Sequence, residues 1–211
     1  MIEDRLDKIT LSAEGLTRRF GYRRVFDGLQ FECSAGESLC IAGPNGSGKS
    51  TLLRIIAGLL APTSGEVRLL VQGKPADEAV RRSLTRLVSP EANLYDELSG
   101  FENLGFLCSV SGRSCTRSEM GEVLDRVGLR DRGNDLFGAY SSGMKQRLKY
   151  AASLLSSPPV LLLDEPTANL DEVGKEMVYG VMLEQLKHGL LIFATNEEDE
   201  LRFGGKFVQL G

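Results

Sequence analysis

The run Gly43-Pro-Asn-Gly-Ser-Gly-Lys-Ser-Thr51 has the composition needed to hold a triphosphate. It fits G-x-x-x-x-G-K-[ST], in which backbone N–H groups turn inward toward an anion. Such a loop needs backbone shapes that glycine adopts cheaply. A helix that starts directly after it aims its positive dipole end at the same charge. Gly43, Pro44, Asn45, Gly46, Ser47, Gly48, Lys49, Ser50 and Thr51 are therefore expected to cradle phosphate. Lys49 would reach the β and γ phosphates, and the Ser50 hydroxyl would ligate Mg²⁺. The plainer alternative is a Gly-rich turn. Four constrained positions meet by chance in on the order of 1% of chains this long. The apolar run 38–42 before the loop and the helical pattern 50–60 after it supply the strand–loop–helix setting the motif requires.

A second reactive run is Val160-Leu-Leu-Leu-Asp-Glu-Pro166, an apolar strand that ends in two carboxylates. Side chains alternate along a strand, so Asp164 and Glu165 should point different ways. Asp164 suits Mg²⁺, through water, and Glu165 suits a general base for the water attacking a γ-phosphate. An acidic strand cap is the alternative. Some twenty residues earlier, Tyr140-Ser-Ser-Gly-Met-Lys-Gln-Arg147 opens a helix with small residues. Either it is an ordinary cap or it is a second anion site. One chain has no evident need for two phosphate sites per nucleotide.

Taken together, these runs resemble the ATP-binding subunit of ABC transporters over nearly the whole chain. YSSGMKQR is similar to the signature motif of that family, VLLLDEP to its Walker B strand with catalytic glutamate, and Ala168-Asn-Leu-Asp171 to its D-loop. The resemblance implies an α/β P-loop NTPase fold. A mainly parallel sheet would carry an N-terminal antiparallel β-subdomain and a helical subdomain inserted at about 92–158, all within one domain, 1–211. It implies ATP and Mg²⁺ as ligands, and pairing with a second cassette, as a homodimer or with a related chain. Each ATP then lies between one chain's phosphate loop and the other's signature, with Ser141, Ser142 and Gly143 on the partner's γ-phosphate and Asp171 of the D-loop-like run also expected to bind nucleotide. Phe20 is expected to stack on adenine, with Tyr22 as the fallback and a β-core role as the alternative. Two positions depart from the family pattern. Pro90 or Glu91 stands where a glutamine is usual; Glu91 could reach a metal or simply be a solvated loop residue. Asn196 stands where a γ-phosphate-bound histidine is usual. It can donate the same hydrogen bond but carries no proton. Its other role would be N-cap of the helix starting at Glu197. Slow but real hydrolysis is expected.

The elements that must position these groups alternate. Strands are expected at 10–17, 25–33, 38–42, 66–72, 160–163, 189–195 and 206–210. Helices are expected at 50–60, 172–187 and 197–203, with a mainly helical stretch at 99–157. Alternation around a helical insert argues for a parallel sheet covered by helices. The 211 residues amount to about 1.4 typical domains. Hydrophobic content of 42% excludes a disordered chain, and a net charge of −4 argues against nucleic acid as a partner. No apolar run approaches the ~20 residues of a bilayer span, and the charged MIEDRLDKIT start does not read as a signal peptide. The four cysteines lack metal spacing and read as reduced, core-filling thiols of a cytosolic protein. The arginines at 18, 19, 23 and 24 could approach ATP phosphates or anionic lipid, or form a solvated loop.

The best-fitting role is the motor of a membrane exporter or permease whose spans lie on separate chains. It would be cytoplasmic and peripheral on the membrane's cytoplasmic face. The short length and SSGMKQR signature resemble heme exporters of the cytochrome c maturation type and other drug or polysaccharide exporters. A degenerate nucleotide-gated module, and a soluble relative acting on ribosomes or DNA, are the other readings.

Overall fold

The computed structural model describes residues 8–211, so the first seven residues of the charged N-terminal run lie outside it. In chain order the elements are β1 (Ile9–Phe20), β2 (Arg23–Ser34), β3 (Ser38–Ala42), α1 (Lys49–Ile56), β4 (Ser64–Val71), β5 (Lys74–Pro75), α2 (Glu78–Leu84) and β6 (Thr85–Val88). Then come α3 (Gly100–Val110), α4 (Arg117–Arg126), α5 (Ser142–Leu154), β7 (Val160–Asp164), α6 (Glu172–His188), β8 (Leu190–Thr195), α7 (Glu198–Leu201) and β9 (Lys206–Gln209).

Two compact units form. The first comprises residues up to 87 with 159–166 and 182–211. It holds an antiparallel sheet of order β2-β1-β4-β5 and a second sheet of order β6-β7-β8-β3-β9, in which β7, β8, β3 and β9 run parallel. All five residues of β7 and all six of β8 are buried. That is why these strands read as unbroken apolar runs rather than alternating ones. β1 instead alternates at its start, with Ile9, Leu11 and Ala13 buried between half-exposed neighbours. Its inner face and those of β3, β7 and β8 close over Leu52, Leu53, Ile55 and Ile56 of α1 in one apolar core.

Strand register brings the reactive segments together. Ala42 pairs with Thr195, and Asp164 pairs with Ala194. The chain leaves the three strands at one common edge, into Gly43, Glu165 and Asn196. Ligand sites of open parallel sheets lie at this carboxyl edge.

The second unit comprises 88–158 and 167–181. It begins four residues before the expected limit of 92 and takes in 167–181 as well, beyond the expected limit of 158. Two helices start with reciprocal capping boxes, Ser99 with Glu102 and Thr116 with Glu119. The buried Asn103 side chain donates to the carbonyls of Tyr95, Leu98 and Ser99 and accepts from the Tyr95 N–H. It thereby organises the turn that feeds α3.

The cysteine expectation is corrected in half. Cys33 and Cys40 are free and buried, with burial pushing their thiols up to about 12 and about 11. Cys108 and Cys115 are joined by a disulfide that closes the loop between α3 and α4. The four arginines at 18–24 are also not a solvated loop. They lie on the paired strands β1 and β2, where Arg19 and Arg24 both face Asp27.

Candidate active site

The phosphate loop spans the end of β3 and the start of α1. Gly48 is the N-cap of α1 at φ +104, with no side chain capping the helix and no acidic residue in its first turn. A β-carbon there would collide with Val25, so both the backbone angle and the packing demand glycine. At Gly43 the constraint is close approach: a side chain would run into the Leu210 carbonyl. The N–H groups of the first turn and the helix dipole therefore stay available to an anion. Ser47 Oγ adds an enclosed hydroxyl with no hydrogen-bond partner among the described residues, which suits a phosphate oxygen.

Lys49 is buried, and its ammonium donates to Gly43 O at 2.7 Å, Pro44 O at 3.2 Å and Asn196 Oδ1 at 2.6 Å. Three donors thus meet three acceptors. The Asn196 amide nitrogen in turn donates to Asn45 Oδ1. This replaces the helix-cap role considered for Asn196: the cap of α7 is Glu197, and its own N–H is taken by Thr195 Oγ1 at 2.8 Å. Asn196 points instead into the phosphate loop and bridges it at two places.

Beside the loop lies a cavity of about 400 Å³ lined by Phe20, Arg23, Val25, Asn45, Gly46, Gly48, Lys49, Ser50, Thr51 and Glu165. Phe20 is half exposed at this wall, whereas Tyr22 is fully exposed and outside it. Asp164 and Glu165 do part company, but not by strand alternation. β7 ends at Asp164, which is buried, and Glu165 turns out toward the cavity through a left-handed backbone at φ +49. Its N–H is held by Ala194 O at 2.9 Å. A serine hydroxyl and a buried aspartate are hard oxygen donors, as Mg²⁺ prefers when substrate phosphates complete its shell.

The remaining expected residues belong to the helical unit. Ser141 is the N-cap of α5 and accepts from the Met144 N–H at 3.2 Å. Ser142 and Gly143 open that helix, again with no acidic residue in the first turn. Asp171 accepts from Gly174 N at 2.9 Å and from Arg147 at 2.6 Å. The Gly174 amide, followed by the Arg147 guanidinium, holds its carboxyl below the usual range. Arg147 therefore ties the D-loop-like segment to the signature-like helix. Glu91 is exposed and does not line the cavity.

Two contributors, Lys149 and Val25, were not foreseen, and Arg23 was expected only as one of four arginines that could approach the ATP phosphates. Lys149 on α5 donates to Ser89 O at 3.4 Å and Pro90 O at 2.5 Å, at the segment where the family pattern has a glutamine. Desolvation holds its pKa below the ordinary lysine value. Arg23 and Val25 line the cavity. None carries a motif; only the pairing of β1 with β2 puts the last two beside Gly46 and Gly48.

Residues 26–168 match the ABC transporter family. The "uncharacterized ABC transporter ATP-binding protein YxlF" of Bacillus subtilis (strain 168) is 36% identical over 88% of this chain and 62% of its own length. The cytochrome c biogenesis ATP-binding export protein CcmA of Rhizobium meliloti (strain 1021) is 38% identical over 95% of this chain and 97% of that protein. The chain thus spans less than two thirds of YxlF but nearly all of CcmA. A dimeric, post-hydrolysis structure of the ATP-binding cassette MJ0796 with ADP and Pi superposes at a TM-score of 0.83. It is 26% identical, with 95% of this chain and 94% of that one covered. With its phosphate loop, paired carboxylates and signature-like helix in this fold, the chain belongs to the ABC transporter family, as one of its ATP-binding, ATP-hydrolysing subunits.

Proposed function

We propose that this chain couples ATP-driven closure of a two-cassette dimer to movement in separate membrane permease subunits, from the cytoplasmic face of the membrane. The observation that carries the reading is the meeting of Gly43, Glu165 and Asn196 at one sheet edge beside the phosphate-loop cavity. ATP would lie with its base on Phe20 and its β and γ phosphates on the loop, Lys49 exchanging its present acceptors for phosphate oxygens. Ser50 and Asp164 would hold Mg²⁺, which supplies charge neutralisation between β and γ phosphates. Glu165 would polarise the attacking water, and Asn196 would donate its amide N–H to the γ-phosphate. Ser141, Ser142, Gly143 and Asp171 would complete the site of the second cassette.

No helix among the described residues is long and apolar enough to cross a membrane, in keeping with spans on another chain. A groove in the helical unit, lined by Leu94, Tyr95, Asp96, Phe137, Lys145 and Lys149 among others, offers mixed apolar and charged contacts for such a permease. Near-complete coverage of CcmA supports an export subunit of the cytochrome c biogenesis type. Asn196 favours a second reading, a nucleotide-gated module of the same fold that scarcely turns over, because an amide cannot take up a proton.

One experiment separates the two: ATP turnover of the purified protein, of Glu165→Gln, and of Asn196→His. Turnover well above the Glu165→Gln control, raised further by Asn196→His, is expected. Hydrolysis no faster than that control rules out the motor and leaves the gated module.

A further inference from the structure

Phe20 ends β1 with half of its surface exposed, yet the ring is not loose. Arg18, two residues earlier on the same strand, lays its guanidinium over the ring at 4.2 Å from the centroid. Arg18 itself is fixed at its far end, where Nη1 donates to Ala61 O at 2.9 Å. Ala61 lies in the turn that leaves α1, the phosphate-loop helix, and enters β4. That turn is clamped to β1 by two more bonds, Thr63 N–H to Thr17 O at 2.8 Å and Arg19 N–H to Thr63 Oγ1 at 3.0 Å. Arg18 Nε is enclosed without a partner among the described residues, so the guanidinium is partly desolvated, which strengthens its hold on a ring face.

We propose that Arg18 is a positioning residue for the nucleobase: it seats Phe20 and fixes that ring at a set distance from the phosphate-loop helix. The proposal rests on the reading of Phe20 as the base platform. Phe20 lines the cavity and Arg18 does not. In the proposal the guanidinium covers the ring face turned away from the cavity and leaves the other for a base. Two consequences follow. The ring need not be ordered when the base arrives, so less entropy is lost on binding. A cation behind the ring also draws its π-density back, which favours stacking of an electron-rich purine on the open face. The neighbouring arginines do not share this role, since Arg19 and Arg24 are committed to Asp27.

The test is calorimetric titration with Mg·ATP and with magnesium tripolyphosphate, which has the phosphates but no base. The proteins are the wild type, Arg18→Met, Arg18→Lys, Phe20→Ala and Phe20→Ala/Arg18→Met. Arg18→Met is expected to weaken ATP about 2- to 5-fold, the ~0.5–1 kcal/mol of an exposed cation–π pair at tenfold per 1.4 kcal/mol. Tripolyphosphate affinity should not change, and Arg18→Met should cost nothing further once Phe20 is alanine. Should Arg18→Met fail to fold, Arg18→Lys carries the test. Its single ammonium cannot both cover the ring and reach the Ala61 carbonyl, so a smaller, ATP-only loss is expected. Unchanged ATP affinity, equal loss for both ligands, or full additivity with Phe20→Ala overturns the proposal. If Phe20→Ala itself leaves ATP binding intact, the base-platform reading fails instead.

Discussion

Replacing Asn196 with alanine should make the protein less stable and its grip on ADP tighter. The side chain bridges Lys49 and Asn45 in the ligand-free loop, and the Lys49 bond, at 2.6 Å, is charge-assisted. Hydrogen bonds to charged groups contribute about 1.5–3 kcal/mol when enclosed. Asn196 is exposed, so water recovers part of that loss; about 1–1.5 kcal/mol is a fair net figure. At 2–4 °C per kcal/mol for a chain of this size, the melting temperature should fall by roughly 2–6 °C. ADP lacks the γ-phosphate that Asn196 is proposed to contact, yet it still needs Lys49. The free energy that no longer holds Lys49 in the empty loop should then reappear as a roughly 5- to 10-fold lower Kd for Mg·ADP. ATP gains the same release but loses the γ contact, so preference for ATP over ADP should shrink. Calorimetric titration with each nucleotide, alongside thermal unfolding of the ligand-free protein, measures both sides. A lower melting temperature with ADP affinity unchanged or weakened would refute the competition between Asn196 and phosphate for Lys49.

Other consequences are more local. Gly48→Ala puts a β-carbon against Val25 at φ +104; a left-handed alanine alone costs about 1–2 kcal/mol, so melting temperature and ATP affinity should both drop, while Gly46→Ala, with open space around it, should strain only the backbone. Cys115→Ser opens the short loop closed to Cys108 and should remove about 2–3 kcal/mol of stability by chain entropy; reductant should lower the wild type's melting temperature and leave the variant's unchanged. Cys33 and Cys40, with thiols up at about 12 and about 11, should resist alkylation at pH 8 until the protein unfolds. In acid, Glu102 and Glu119 have folded-state pKa values lowered first by the backbone N–H groups of Ser99 and Thr116. Their contribution is therefore present above the unfolded carboxylate value near 4.5 and is lost as pH falls through the lower folded values. Unfolding free energy should decline below about pH 4.5, and less steeply in Glu102→Gln/Glu119→Gln.

What the sequence made legible follows the range over which the chemistry acts. The phosphate loop needs nine adjacent residues and a helix to follow, so it can be read without the fold. β3, β7 and β8 were legible because burial on both faces leaves an unbroken apolar run. By contrast, nothing was expected at 78–84, where α2 has no buried residue and hence no apolar stripe; its one signal was the Asp77 cap. The capping boxes Ser99–Glu102 and Thr116–Glu119 show in the sequence as Ser or Thr three residues before Glu. The bridge from Asn196 to Lys49 and Asn45 joins residues about 150 positions apart. Asn196 also suited a helix cap by composition, and only the register of β8 against β3 decides which role it takes. The Cys108–Cys115 pair depends likewise on how the chain turns after α3.

The left-handed backbone at Glu165 bears on what this protein has been kept for. A non-glycine residue there carries about 1–2 kcal/mol of strain. Glycine at that position would relieve it and delete the carboxylate in one substitution. Drift toward stability alone would therefore erase this carboxylate, the proposed general base, early, while leaving the phosphate loop untouched. A lineage that needed only a nucleotide-gated clamp would have every reason to let it go. A strained glutamate at the mouth of the cavity is what the proposed hydrolytic role would require a lineage to keep.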